Sequence, residues 1–394
     1  MRVWSDLEVL PVRRWFPSFV VMVAALVVSP LCSGVAASVS YPLAPSSNAI
    51  QNALAYLESR QAGDGSIGSY ADSGWACIAI AAAGENPNEW DQGGDSLGVY
   101  LRDSHDYGGV FNLAAAYART VLVAVAAGED PSSFGTYSGG GVSDGDFVQA
   151  LLDLYDGTQF EDGFGSTDTI NDDVWAVRAL LAAGESRDSS EISGALDFIV
   201  DNQDTNGGWS WAVPGHVWYA TSADDTAAAL LALLKGGRDP SSVVVRDGLD
   251  YLKGLQELNG GFLYDDNPWS YENVSSTAWV VYAVGAAGQS PVGPRWMASG
   301  HTPVDYLLGQ QQADGRFPYR DPLPGGYSEL PVQNTAWAIE ALVGAHYRAP
   351  STCIVGGVAE TPGVAGQVLP WGALSGVLLV FAAWRTRRKG ASSV

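Results

Sequence analysis

Cysteine and histidine are scarce in this chain of 394 residues. The three cysteines are Cys32, Cys77 and Cys353, and the four histidines, His105, His216, His301 and His346, are widely scattered. No closely spaced set of soft ligands exists, so neither a zinc site nor any other cofactor is expected. Basic residues are also few: 20 Lys and Arg stand against 43 Asp and Glu, for a net charge of −23 at pH 7. Most of the imbalance lies between the two ends of the chain, where 13 basic residues face 41 acidic ones. A negative field of that size argues against nucleic acid as a partner. Apolar residues, by contrast, make up 47% of the chain, ample for a sizeable core.

The ends differ from the middle. Arg13 and Arg14 precede the apolar run FVVMVAALVVSPLCSGVAAS, which reads as a secretory signal over residues 1–37 with small residues at Val35 and Ala37. Near the other end, residues 368–384 are just long enough and apolar enough to cross a bilayer. A basic tail follows over residues 385–394, with Arg385, Arg387, Arg388 and Lys389 expected to stay cytoplasmic. Residues 349–367 read as a linker. The expected layout is a single-pass cell-surface protein with one large extracellular domain at residues 46–348, held to the membrane by its C-terminal helix.

That domain repeats one phrase six times: an apolar-faced helix, a Gln, a glycine turn, a second helix, then a glycine stop. The stops Gly84, Gly128, Gly184, Gly236, Gly288 and Gly344 fall 44 to 56 residues apart. The first helix of each pair is amphipathic, as in LDYLKGLQE, and the second is apolar nearly all round, as in AWVVYAVGAA. A helix apolar on every face must be buried on every face. Six such helices can all be buried as an inner ring inside six amphipathic ones. The expected fold is therefore all-α: a closed (α/α)6 toroid of six helical hairpins.

The hairpin motif FIVDNQDTNGGW, with Phe198, Gln203, Gly207 and Trp209, resembles the Gln-Trp repeat of squalene-hopene cyclases. Gln256, Gly260 and Phe262 repeat it, as do Gln310, Gly315 and Phe317; Gln61 with Gly65 and Gln159 with Gly163 are weaker copies, and His105 takes the Gln position of the second unit. On these motifs the chain resembles the terpenoid cyclase and protein prenyltransferase α/α-toroid superfamily. The resemblance implies a structural role for the glutamines. It does not extend to the zinc ligands of protein prenyltransferases or to the Gly-Cys-Gly-Glu-Gln run of thioester domains, both absent here. The Asp-x-Asp-Asp-Thr-Ala acid motif of the cyclases is matched by Ser222-Ala223-Asp224-Asp225-Thr226-Ala227. Asp224 falls on the proton donor, while Ser222 replaces the first aspartate. The resemblance thus makes Asp224 and Asp225 candidate catalytic acids. The residues themselves allow a second reading, as caps of a buried helix. A third relative, the single-toroid corrinoid binder, needs no acid at all.

The connections leading into the inner helices grow longer along the chain and are rich in aromatics. They bring Trp209, Trp211, Trp218, Tyr219, Trp269, Tyr271, Phe317 and Tyr319 toward one rim, with Trp175, Trp279 and Trp337 at matching positions just inside. A concave aromatic mouth over an apolar barrel is the default place for a ligand. The expected partner is a large apolar small molecule, isoprenoid or corrinoid-like, held in a central cavity. A cyclase-like enzyme and a purely structural surface protein are the alternatives. Closure of the ring would also bring the first and sixth units together, making Cys77 and Cys353 a candidate disulfide.

Overall fold

The computed structural model describes residues 40–107, 112–217, 219–322 and 330–344. The expected signal, linker, span and basic tail lie outside them, as do Trp218 and Cys353. Among the described residues no helix is long and apolar enough to cross a membrane.

Among the described residues, twelve α-helices alternate between an outer and an inner position. The outer helices are α1 (Asn48–Ser59), α3 (Leu97–Asp103), α5 (Phe147–Leu152), α7 (Ser190–Asp201), α9 (Val243–Gly254) and α11 (Pro303–Gln310). The inner ones are α2 (Tyr70–Ala82), α4 (Leu113–Ala127), α6 (Asn171–Ala183), α8 (Ala223–Lys235), α10 (Val274–Ala286) and α12 (Pro331–Val343). Burial follows the pattern of the sequence. Helix α10 buries every residue from Val274 to Val284, whereas α9 buries only Val245, Gly248, Leu249 and Leu252. Each inner helix packs on the next, and α12 packs on α2, so the inner ring is closed.

Two sets of hydrogen bonds fix the register of the hairpins. In the first, a glutamine side chain ties its own glycine turn to the neighbouring unit. Gln61 Nε2 donates to Gly65 O at 3.2 Å and Trp90 O at 2.7 Å; Gln203 to Gly207 O at 2.8 Å and Val244 O at 2.9 Å; Gln256 to Gly260 O at 3.2 Å and Trp296 O at 2.8 Å. In the sixth unit the tie is made by Gln311, not by Gln310 as the motif suggested. Gln311 Nε2 donates to Gly315 O at 3.0 Å and to Ala49 O at 2.8 Å, linking the last unit to the first. Gln310 instead accepts from Asp321 N. Gln159 makes no such bridge and donates to Thr167 O.

In the second set, an apolar residue of the connection between the two helices donates its backbone N–H to a side-chain oxygen near the start of the inner helix. The pairs are Ile67 with Ser73, Phe160 with Asp173, Trp209 with Thr226, Phe262 with Thr277 and Phe317 with Thr335, at 2.8 to 3.0 Å. Each bond satisfies a buried N–H that no helix or strand could reach. It also aligns the five inner helices residue by residue.

Two details depart from the expected pattern. The fold is not wholly helical: the long connection of the fifth unit folds on itself as an antiparallel pair, β1 (Phe262–Leu263) with β2 (Glu272–Asn273). The stop of the fourth unit is Gly237, whose φ is 90°, while Gly236 keeps helical angles; only a residue without Cβ takes that left-handed turn readily.

Candidate functional site

The inner helices all begin at the same end of the ring, and there the polar side chains gather. Helix α8 starts with Ser222 as its cap. The Asp225 N–H donates to Ser222 Oγ at 3.1 Å, and Ser222 Oγ donates back to Asp225 Oδ2 at 2.6 Å. The backbone N–H of Trp211 also donates to the Asp225 carboxyl. Asp225 is therefore held by its own helix end and by the loop above it. Burial still raises its pKa to about 6 against these hydrogen bonds.

Asp224 is placed differently. It leans toward α10, where the Ser276 hydroxyl is its hydrogen-bond partner, and its Oδ1 has no partner at all. Protein surrounds the carboxyl and Oδ1 is inaccessible, although the residue as a whole is only partly buried. Burial pushes its pKa up to about 7, with the neighbouring Asp225 charge adding to the rise and Ser276 opposing it. At neutral pH a large fraction of Asp224 is a neutral acid with a transferable proton. Tyr264 lies close to both acids, and burial together with their charges raises its pKa as well.

A second acid pair starts α6. Asp172 accepts from Thr169 Oγ1 at 2.6 Å and from Asn112 Nδ2, while Asn112 Oδ1 caps α4 by accepting from Ala115 N at 2.8 Å. Asp173 takes the place that threonine holds in three other units, accepting the Phe160 N–H. Both are fully buried.

The predicted aromatic lining divides into three groups. Trp209 and Phe317 are not in the mouth. Both are 0% exposed, sealed in the wall between outer and inner helices, and the Trp209 indole N–H donates to Ile199 O at 2.7 Å. Trp175, Trp279 and Trp337 do point to the axis, but they pack on one another and on Trp75. Their ring centroids are 5.5 Å (Trp75–Trp175), 5.8 Å (Trp175–Trp279), 5.5 Å (Trp279–Trp337) and 5.5 Å (Trp337–Trp75), a closed circuit of tilted and edge-on contacts. The wide apolar cavity expected on the axis is occupied by this tryptophan floor. Buried Arg178 lies against it, 4.4 Å from the Trp175 ring and 5.0 Å from that of Trp279. The third group does reach the mouth. Trp269 is 78% exposed, Tyr271 stacks beneath the Arg320 guanidinium at 4.8 Å, and Trp211 sits edge-on to His216. Tyr219 turns away to donate to Asp204, and Tyr319 contributes its carbonyl to the first turn of α10.

Trp75 and Ala228 belong to this site but were not singled out from the sequence, although the signal for both was available. Two residues after the hydroxyl or carboxyl that receives the turn N–H stand Trp75, Trp175, Trp279 and Trp337 in four units, and Ala228 in the fourth unit of the ring. Cys77 is a free thiol buried on α2, with its pKa pushed up by burial, and its candidate partner Cys353 lies outside the described residues.

Two concavities bear on function. A crevice of about 10 Å³ runs between α6 and α8, lined by Ile170, Asn171, Val174, Ser210, Trp211, Asp225 and Ala228. A larger groove of about 240 Å³ lies beside α1 and Trp90, lined by none of the four acids at the heads of α6 and α8; the smaller one borders Asp225.

Solved structures share this fold. A solved structure of the type II terpene cyclase MstE from Scytonema, in its apo form, matches with a TM-score of 0.51 and 16% identity, covering 75% of this chain and 96% of that one. The chain has the terpenoid cyclase α/α-toroid fold. Squalene–hopene cyclase of Alicyclobacillus acidocaldarius is 27% identical over 186 residues, 43% of this chain. The matched part spans only 29% of that enzyme. The ent-copalyl diphosphate synthase of Streptomyces platensis matches with a TM-score of 0.47 and 18% identity over 70% of this chain and 50% of that one. No protein-family model matches the chain. In this α/α toroid, then, the acids stand at the starts of the inner helices and the tryptophans meet about one turn, roughly 6 Å, deeper.

Proposed function

We propose that the protein receives an apolar, prenyl-type molecule at the mouth formed by α8, Trp211 and Tyr264, and that Asp224 is its proton donor. One observation carries this reading: Asp224 keeps a buried, unpartnered oxygen and a pKa of about 7 on a residue that is itself only partly buried. The acid run at Ser222–Asp225 and the sequence similarity to squalene–hopene cyclase support it. In the step proposed, the Asp224 O–H delivers its proton to a terminal alkene carbon, and the π electrons form the new C–H bond. A tertiary carbocation and an Asp224 carboxylate result, the latter stabilised by the Ser276 hydroxyl. The cation then loses a proton to solvent or closes on a second alkene.

The tryptophan floor favours a second reading, capture of the same ligand without turnover, because it leaves no room for a folded chain on the axis. The test is incubation of the full-length protein with squalene in deuterated water. Deuterium in the recovered hydrocarbon, lost in Asp224→Asn, is the expected result. Squalene retained on the protein without deuterium uptake favours capture. No squalene bound in either form rejects both. The segments at residues 1–37 and 368–394 support a membrane-anchored, extracellular setting, which protease shaving of intact cells tests.

A further inference from the structure

We propose that Ala228 is the specificity-determining residue of the mouth, admitting one methyl-sized group beside the acids and refusing anything broader. The inference rests on the reading of this mouth as a prenyl site and names which part of the ligand enters. Its basis is the alignment fixed by the turn bonds. The position two residues beyond the N–H acceptor holds tryptophan in α2, α6, α10 and α12, and those four rings meet across the axis. In α8 the same position, two residues after Thr226, is Ala228. Two inner helices, α4 and α8, thus add no ring to the floor, and in α8 the alanine lies one helical turn below Asp224, on the same helix.

The packing bears this out. Ala227 and Ala229 are 0% exposed, whereas Ala228 keeps 8% because it borders the crevice. The crevice runs from Trp211 and Asp225 at the top to Val174 and Ala228 at the bottom. At about 10 Å³ it has room for about one small group. Val174 and Ile170 make one wall apolar, and Asp225 and Ser210 leave the upper edge polar. A gem-dimethyl alkene end suits that shape: one methyl descends against Val174 and Ala228, and the double bond stays level with the carboxyls. A ring or a polar headgroup fits neither the width nor the apolar wall.

The experiment is equilibrium binding of squalene to the full-length protein in detergent, read by tryptophan fluorescence, for wild type, Ala228→Leu and Ala228→Gly. The expected result is binding at least tenfold weaker in Ala228→Leu at an unchanged or higher Tm, and binding as tight or tighter in Ala228→Gly. Should the leucine variant fail to fold, Ala228→Val takes its place, with a smaller loss expected. Equal squalene binding in wild type and the larger variants, or a loss in Ala228→Gly, overturns the role of Ala228 while leaving the prenyl reading intact. Absence of binding in wild type overturns the prenyl reading itself, and this inference with it.

Discussion

Helices α6 and α8 begin alike and end up chemically unlike. Each opens with two adjacent aspartates, and in all four burial raises the pKa. On α6 the pair is structural. Asp172 binds Thr169 and the capping Asn112 of α4, and Asp173 holds the Phe160 turn from within the wall. On α8 the hydroxyl of Thr226 holds the turn, so neither aspartate is needed there. Asp225 binds the capping Ser222, and Asp224 is left with one oxygen unpartnered. A perturbed pKa therefore does not by itself mark an active group. Asp173 is raised well above the ordinary carboxylate range and wholly buried, while Asp224 is raised on a residue only partly buried.

The sharpest way to break this comparison is a matched pair of substitutions. Asp224→Asn is expected to lower deuterium incorporation into squalene by about 10²–10⁴-fold, the usual weight of a general acid, with Tm nearly unchanged. Asp173→Asn is expected to leave incorporation within about twofold of wild type. Equal losses in both would erase the distinction between the two helices. A pH profile adds to this. Incorporation should fall about tenfold per pH unit above 7, as Asp224 gives up its proton to solvent.

The stability effects are smaller. Asp172→Ala leaves Thr169 and Asn112 without their acceptor and is expected to cost about 1–3 kcal/mol by denaturant unfolding. Asp225→Ala leaves the Ser222 hydroxyl and the Trp211 N–H without their acceptor and is expected to cost about 1 kcal/mol. Asp173→Thr is expected to stabilise by up to about 1 kcal/mol at pH 7, because the hydroxyl keeps the Phe160 bond and removes a buried oxygen, Asp173 Oδ2, that has no partner. The pH dependence has a definite sign. For a carboxyl raised from about 4 to about 7, the folded state binds the extra proton across that interval. Its stability contribution is complete below pH 4 and is lost as pH rises through 7. Tm should therefore be higher at pH 5 than at pH 8, and the slope shallower in Asp224→Asn.

The ring was legible because burial on every face and a repeated Gln–Gly turn each constrain the fold strongly. The tie in the sixth unit was legible too, although it was misread. Gln61, Gln203 and Gln256 all stand four residues before their glycine, and within GQQQADG only Gln311 does so. The tryptophans were harder. A ring that lines a cavity and a ring that fills it use the same residue at the same position. Only the size of the barrel decides, and that emerges when the helices pack. Trp209 and Phe317 were placed in the mouth because they adjoin long loops, yet the turn N–H that each donates to the inner helix draws them into the wall. The unequal fates of the two aspartate pairs depend on neighbours distant in the chain, Asn112 for one and Ser276 for the other, which no local pattern discloses.

The central claim is that Asp224 is a neutral acid at the mouth near pH 7. Carboxyl ¹³C NMR titration of the aspartates, with Asp224→Asn to assign the resonance, tests it without any ligand. The account predicts a resonance that titrates near pH 7 and vanishes in the variant. A resonance lost in that variant that titrates near pH 4, as an exposed carboxylate does, would contradict it.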